Sequence, residues 1–380
     1  MEPIIVVGSG LAGYSVIREL RKLDSELPIT LLSRDGGDYY AKPMLSNAFA
    51  QGRDAAALIQ TPAAEMARQL GITVRTDTEV QRIDAGRKML ATDQGELRYS
   101  RLVLAVGADT ISIPMQGDAA GQVCAVNDIA DYARLRRYLQ GAERVVIIGA
   151  GLIGCEFAND LATAGYAVTV VDPGGYPLAS LVPQQAGSLL RQSLAAVGVT
   201  WRLGTTVSRV DSAVSGYTLT LADGSIVDAD LVLSAVGLRP RIALAQAAGL
   251  AVNRGIKVDS RLRSSDPDIF ALGDCAEIDG RVLPFVLPIM HAARALAKTL
   301  AGVSTQVVFP DMPVVVKTPA HPVAVLPVAR DAAGRWQTLA NGDGIKMVFV
   351  DSSDRISGFV ATGEFASERA EILKRVGTSL

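Results

Sequence analysis

Cysteine is scarce in this chain and badly placed for chemistry. Cys124, Cys155 and Cys275 are odd in number and far apart, which excludes a disulfide framework and a zinc site. Cys155 and Cys275 read as small buried hydrophobes. The two histidines, His291 and His321, have no metal-ligand partners at useful spacing and read as ordinary side chains. A basic excess is missing as well. The 37 Lys and Arg residues against 39 Asp and Glu leave a net charge of −2, without the footprint that nucleic-acid binding needs. No apolar run approaches the roughly 18 residues of a membrane span. The chain enters a strand after Met-Glu-Pro, which leaves no room for a signal peptide. These absences leave a cytoplasmic α/β protein without membrane insertion. At 380 residues it suits about two or three domains.

Glycine is plentiful, and two stretches use it alike. In residues 144–160, RVVIIGAGLIGCEFAND, the run 144–148 is too short for a helix and reads as a buried strand. Gly149, Gly151 and Gly154 then form GxGxxG where a helix opens. The first glycine permits a tight turn and the second lets the backbone approach a pyrophosphate. The third lets helix and sheet pack closely. The helix N-terminus points free N–H groups at the phosphates. A further strand, 167–171, ends in Asp172, 23 residues after Gly149, near the offset of about 20 expected of a ribose-binding acid. No Arg/Lys cluster follows it, and its charge would repel a 2′-phosphate. NADH is therefore favoured over NADPH.

The amino-terminal stretch repeats the device. A strand over 4–7 runs into Gly8, Gly10 and Gly13, and a helix spans about 11–23. The next strand, 29–32, ends at Ser33-Arg34-Asp35. Ser33 and Arg34 can meet ribose and adenine through hydroxyl and backbone groups, whereas Asp35 is either part of that contact or a turn former. Lys42 stands among aromatic and apolar residues and is fixed by Pro43, which suits a cofactor contact better than a solvated charge. Residues 72–74 and 80–83 read as strands, with Val80 offering backbone groups to adenine or packing a core. Residues 102–107, LVLAVG, close this unit, and 231–237, LVLSAVG, echo it. The echo means two units built alike, the second inserted within the first. Residues 131–139 read as a helix ahead of the second glycine loop.

Later, Gly273 permits close backbone approach, and Asp274 can accept a hydroxyl hydrogen bond or cap a helix. Val286 precedes a helix over about 289–300. From about residue 311 come short strands, 314–316, 323–325, 345–350 and 356–360, with a helix near 367–375. Lys317 is a third cofactor candidate. The expected architecture is α/β: two nested Rossmann-like dinucleotide-binding domains, 1–112 with 242–310 and 113–241, plus a small C-terminal α+β domain, 311–380.

Over the whole chain these features resemble the two-dinucleotide-fold flavoprotein reductases. More narrowly, YAKPMLSNAF, GLIGCEFAND, SAVGLRPR, FALGDCAE, PFVLPIM and VKTP resemble bacterial FAD-dependent NADH:rubredoxin reductases. The resemblance implies an oxidoreductase with non-covalent FAD on the first glycine loop and NADH on the second. A hydride passes to the flavin, whose electrons leave singly for rubredoxin, a small iron protein, as in the chain that feeds alkane hydroxylase. FAD would touch Gly8, Ser9, Gly10, Leu11, Ala12, Gly13, Ser33, Arg34, Lys42, Val80, Glu156, Asp274, Val286 and Lys317. NADH would touch Gly149, Gly151, Leu152, Ile153, Gly154, Asp172 and Gly237. Glu156, paired with Lys42, would orient flavin and nicotinamide without any covalent role, and Lys317 would stabilise the reduced flavin. Ser33 stands where the broader family has a ribose glutamate.

Relatives that reduce disulfides carry a Cys-x4-Cys pair after the first nucleotide unit, and those that reduce peroxide or oxygen carry one cysteine nearby. Here none precedes Cys124, so electrons must leave directly from the flavin edge. That disfavours an NADH oxidase or peroxidase. A flavorubredoxin or a [2Fe–2S] ferredoxin stays open as the acceptor, and a dinucleotide-sensing module lacks any appended effector segment. The resemblance also implies a monomer.

Overall fold

The computed structural model describes residues 2–329 and 331–379. They fall into two compact units: Met1–Lys42, Ala56–Asp109 and Leu238–Pro310 form unit 1, and Pro43–Ala55, Thr110–Gly237 and Asp311–Leu380 form unit 2.

Unit 1 is built on a five-stranded parallel sheet in the order Ile269–Ala271, Arg101–Leu104, Ile4–Val7, Ile29–Leu32, Thr73–Arg75. Its central strand is apolar and buried at every position, as a parallel strand covered on both faces must be. The helix Leu11–Arg21 packs beside Val286–Leu300, burying Tyr14, Ile17 and Leu20 in the core. The later helix begins three residues before the expected start at 289. Pro288 lies in its first turn, where a missing N–H costs nothing. No helix follows Asp274. The chain enters the strand Ala276–Ile278 instead, so the capping alternative for that carboxylate falls away.

Unit 2 has a four-stranded parallel sheet in the order Thr200–Leu203, Ala167–Asp172, Arg144–Ile148, Leu231–Ser234. The helix Leu152–Thr163 follows the second glycine loop and is buried from Gly154 to Ala162. A helix buried all round should be apolar, yet this one carries Glu156, Asn159 and Asp160. Residues 311–380 add an antiparallel sheet in the order Val314–Val316, Val323–Leu326, Ile356–Thr362, Ile345–Asp351, Gly334–Asn341. The last of these was not expected. It is a half-exposed edge strand whose apolar residues are thinly spread, secured by the Trp336–Phe349 ring pair at 5.4 Å. The helix expected near 367–375 is a 3-10 turn, Gly363–Glu368, leading into a short α-helix, Arg369–Lys374.

Candidate functional site

The first glycine loop distributes space unevenly. Gly8 has φ +116°, and a Cβ there would lie 2.2 Å from the Ala105 carbonyl oxygen. A Cβ on Gly13 would meet the Gly8 oxygen at 1.9 Å, whereas nothing lies within 4 Å of one on Gly10. The loop is closed at its outer glycines and open at the middle one, which is a cradle for a pyrophosphate. The helix it opens has no side-chain cap and no acid in its first turn. Its first N–H groups, from Leu11 and Ala12 onward, are thus left for an anion.

Around this cradle, Ser33 is 2% exposed, and its hydroxyl donates to Asp35 Oδ1 at 2.6 Å. Ser9 Oγ lies 2.7 Å from Ser33 Oγ. Asp35 also accepts the Gly37 N–H at 3.0 Å. Ser33 therefore braces the carboxylate two residues on, and Asp35 forms the turn that follows the strand. Arg34 is exposed. Lys42 Nζ stands 3.9 Å from Asp274 Oδ2. Gly273, at φ +81°, would drive a Cβ to 2.8 Å from Ala12, so only glycine lets this strand end approach the loop. Val80 is half-buried against the unit-1 core beside a bulge, and Val286 is the first, partly exposed residue of its helix.

The second loop has the same geometry. A Cβ on Gly149 (φ +108°) would lie 2.7 Å from the Ala235 oxygen and one on Gly154 1.9 Å from the Gly149 oxygen, while Gly151 faces open space. The helix here, with Leu152 and Ile153 in its first turn, is again uncapped and free of acid there. Asp172 is braced across the loop: Oδ2 accepts the Ala150 N–H and Oδ1 the Gly174 N–H, each at 2.7 Å. Gly237 sits at φ +117° and its echo Gly107 at φ +71°, so both sheets turn off their last long strand through a left-handed glycine.

Glu156 lies on the buried helix with no exposed surface. Its Oε1 accepts the Lys317 backbone N–H at 2.8 Å. Its Oε2 accepts the Ser46 hydroxyl and lies 3.1 Å from Lys317 Nζ. That ammonium also donates to the Pro43 carbonyl. A buried carboxylate with a cation and two further donors is satisfied. Within unit 2 its basic partner is Lys317.

Three residues of this cluster were missed from the sequence: Ser46, Asn159 and Asp160. The available signal was three polar side chains at i, i+3 and i+4 on an otherwise apolar helix. The cysteines carry no chemistry. Burial pushes the thiols of Cys124 and Cys275 up to about 12 and about 11, and Cys155, also pushed up, donates to the Ala150 carbonyl. None is a thiolate at neutral pH.

Among the described residues no helix is long and apolar enough to cross a membrane. Residues 2–298 match the family described as pyridine nucleotide-disulphide oxidoreductase, and residues 306–376 match the rubredoxin binding C-terminal domain. The chain is 47% identical over 377 residues to a rubredoxin-NAD(+) reductase of Alcanivorax borkumensis, covering 99% of each. It is 40% identical over 374 residues to a nitric oxide reductase FlRd-NAD(+) reductase of Aeromonas hydrophila, covering 98% of this chain and 96% of that protein. A ferredoxin reductase structure from Rhodopseudomonas palustris superposes with a TM-score of 0.90 at 23% identity, covering 100% of this chain and 96% of that one, which is a likeness of fold.

Proposed function

The chain belongs to the pyridine nucleotide-disulphide oxidoreductase family, and we propose that within it this protein oxidises NADH and passes the electrons through FAD to rubredoxin, in the cytoplasm. The observation that carries this reading is the pair of glycine cradles, each closed at the outer glycines and open at the middle one, in a chain that also has a rubredoxin binding C-terminal domain. FAD, when bound, supplies the conversion of a two-electron hydride into single electrons for an iron centre.

The protein's own part is to bind, orient and set charge. Gly8 to Gly13 hold the FAD pyrophosphate on the N-terminus of the first helix. Asp35, braced by Ser33 and Ser9, takes the adenosine ribose, with Arg34 and Val80 beside the adenine. Asp274 and Val286 serve the remainder of the cofactor. Gly149, Gly151, Leu152, Ile153 and Gly154 hold the NADH pyrophosphate, with Gly237 at the neighbouring strand end. Asp172, fixed by the Ala150 and Gly174 N–H groups, accepts from the ribose and repels a 2′-phosphate. Lys42, Glu156 and Lys317 orient nicotinamide and flavin. With every thiol buried or protonated, no sulfur relay intervenes.

The relationship to an FlRd-NAD(+) reductase supports a second reading, in which the same chemistry ends on a flavorubredoxin. Anaerobic reoxidation of the NADH-reduced protein by rubredoxin, a flavorubredoxin rubredoxin-domain and a [2Fe–2S] ferredoxin decides between them. Rubredoxin should react about tenfold faster than either the flavorubredoxin domain or the ferredoxin at equal concentration. Equal rates with all three would overturn the assignment of the acceptor.

A further inference from the structure

The buried helix Leu152–Thr163 fixes more than the dinucleotide loop at its start. Glu156, Asn159 and Asp160, at i, i+3 and i+4, share one face. Asp160 is 4% exposed, and its carboxylate accepts the Phe49 N–H at 2.7 Å and the Ala50 N–H at 3.1 Å. Asn159, 3% exposed, accepts the Ala320 N–H at 3.0 Å through Oδ1. Glu156 accepts from Ser46 and from Lys317, as above. Each polar side chain of this face is thus committed to the backbone or side chains of two remote segments, 43–55 and 317–320. The first directly follows Lys42 in the chain. The second begins with Lys317 and is closed by Thr318 Oγ1 donating to the His321 carbonyl at 2.7 Å.

The anchoring is costly. Burial raises the Asp160 carboxyl above its usual range, against the pull of the Phe49 and Ala50 N–H donors and of the Lys317 and Arg136 charges. A helix-interior acid that served packing alone would be replaced by an apolar residue with no such penalty. Phe49 is also held from the side by the Arg136 guanidinium, 4.6 Å from its ring centroid, and by Tyr166 at 5.5 Å edge-on.

We propose that Asp160 and Asn159 are positioning residues for the NADH–flavin chemistry: from one face of the helix that opens the NADH loop, they fix the segments adjoining Lys42 and carrying Lys317. The inference rests on the oxidoreductase reading given above and extends it to two side chains that touch neither nucleotide loop. Small displacements of orienting groups have large rate consequences, whereas lost packing alone lowers stability.

The test uses the FAD-loaded full chain in five forms: wild type, Asp160→Ala, Asp160→Asn, Asn159→Ala and Leu161→Val. The last loses one methylene from a fully buried position on the same helix and leaves every anchoring hydrogen bond in place. Backbone amide exchange should quicken roughly tenfold over 43–55 in Asp160→Ala and over 317–321 in Asn159→Ala. The rate of flavin bleaching at saturating NADH should fall roughly tenfold in Asp160→Ala, with half-saturating NADH within about twofold of wild type. Asp160→Asn, which keeps one acceptor, should recover most of that loss. Leu161→Val should melt earlier yet bleach at the wild-type rate. A wild-type rate in Asp160→Ala despite faster exchange would overturn the inference alone. A wild-type flavin that NADH leaves oxidised would overturn both it and the reading beneath it.

Discussion

Removing the Lys317 ammonium should destabilise unit 2, and removing the Glu156 charge as well should restore part of the loss. The pair is 3.1 Å apart, and the carboxylate is wholly buried while the lysine side chain is 33% exposed. At an effective dielectric of about 20 the Coulomb attraction is about 5 kcal/mol, much of it offset by desolvation of the carboxylate. In Lys317→Met, Glu156 keeps the Ser46 hydroxyl and the backbone N–H of position 317. The loss should thus fall below the ~3–5 kcal/mol of a wholly stranded buried charge, at about 2–3 kcal/mol. In Glu156→Gln the lysine can turn to water, and the amide oxygen still accepts, so the loss is about 1 kcal/mol. Adding Glu156→Gln to Lys317→Met removes the stranded charge and should return about 1–2 kcal/mol. Both tryptophans, Trp201 and Trp336, lie in unit 2, so intrinsic fluorescence reports its melting by itself. At about 2–4 °C per kcal/mol, the double variant should melt about 2–8 °C above Lys317→Met at a fixed excess of FAD. Simple additivity, with the double variant melting below both singles, would show that the two side chains are not coupled.

The glycine loops make a paired prediction. Gly10→Ala and Gly151→Ala add a methyl to open space and should fold with Tm within about 2 °C of wild type. The first should weaken FAD binding, and the second should raise half-saturating NADH while FAD stays bound, as equilibrium titrations would show. Gly13→Ala, aimed at a carbonyl 1.9 Å away, should instead impair folding, read as loss of soluble protein. Asp172→Ser should narrow the preference for NADH over NADPH by about tenfold in flavin-bleaching titrations, and an unchanged ratio would remove the acid from ribose recognition.

His321 makes a prediction about pH. Burial lowers its pKa from 6.5, Nδ1 meets Ser193 Oγ at 3.1 Å, and Nε2 has no partner among the described residues. The unfolded chain binds the extra proton first, so stability from this site is complete above about pH 6.5 and is lost as pH falls below it. Tm should therefore drop more between pH 7 and pH 5 in wild type than in His321→Asn. Parallel curves would contradict this.

What the sequence displayed was whatever chemistry is local. Each glycine loop is fixed by its own few residues and its flanking strand, so Gly8 to Gly13 and Gly149 to Gly154 could be placed along with the parallel strands beside them. Errors came where context overrides pattern. The helix expected over about 289–300 opens at Val286, because a first-turn proline, Pro288, is harmless. The edge strand Gly334–Asn341 escaped because exposure on both faces erases its alternation. For Glu156 the sequence pointed to Lys42 as partner, whereas the ammonium at 3.1 Å is that of Lys317. Lys317 is 161 residues away, and only folding brings it there. At Ser33 the strand end was legible, but the hydroxyl's bond to the Asp35 carboxylate depends on the turn and carries no sequence pattern.

A sulfur-free path from NADH through flavin to a small iron protein can be followed by treating the FAD-loaded chain with iodoacetamide and then mixing it anaerobically with one equivalent of NADH and excess oxidised rubredoxin. Two rubredoxin irons should be reduced per NADH consumed, at the rate seen before alkylation. A protein that purifies without FAD and refuses it, or a rate abolished by alkylation, would contradict it.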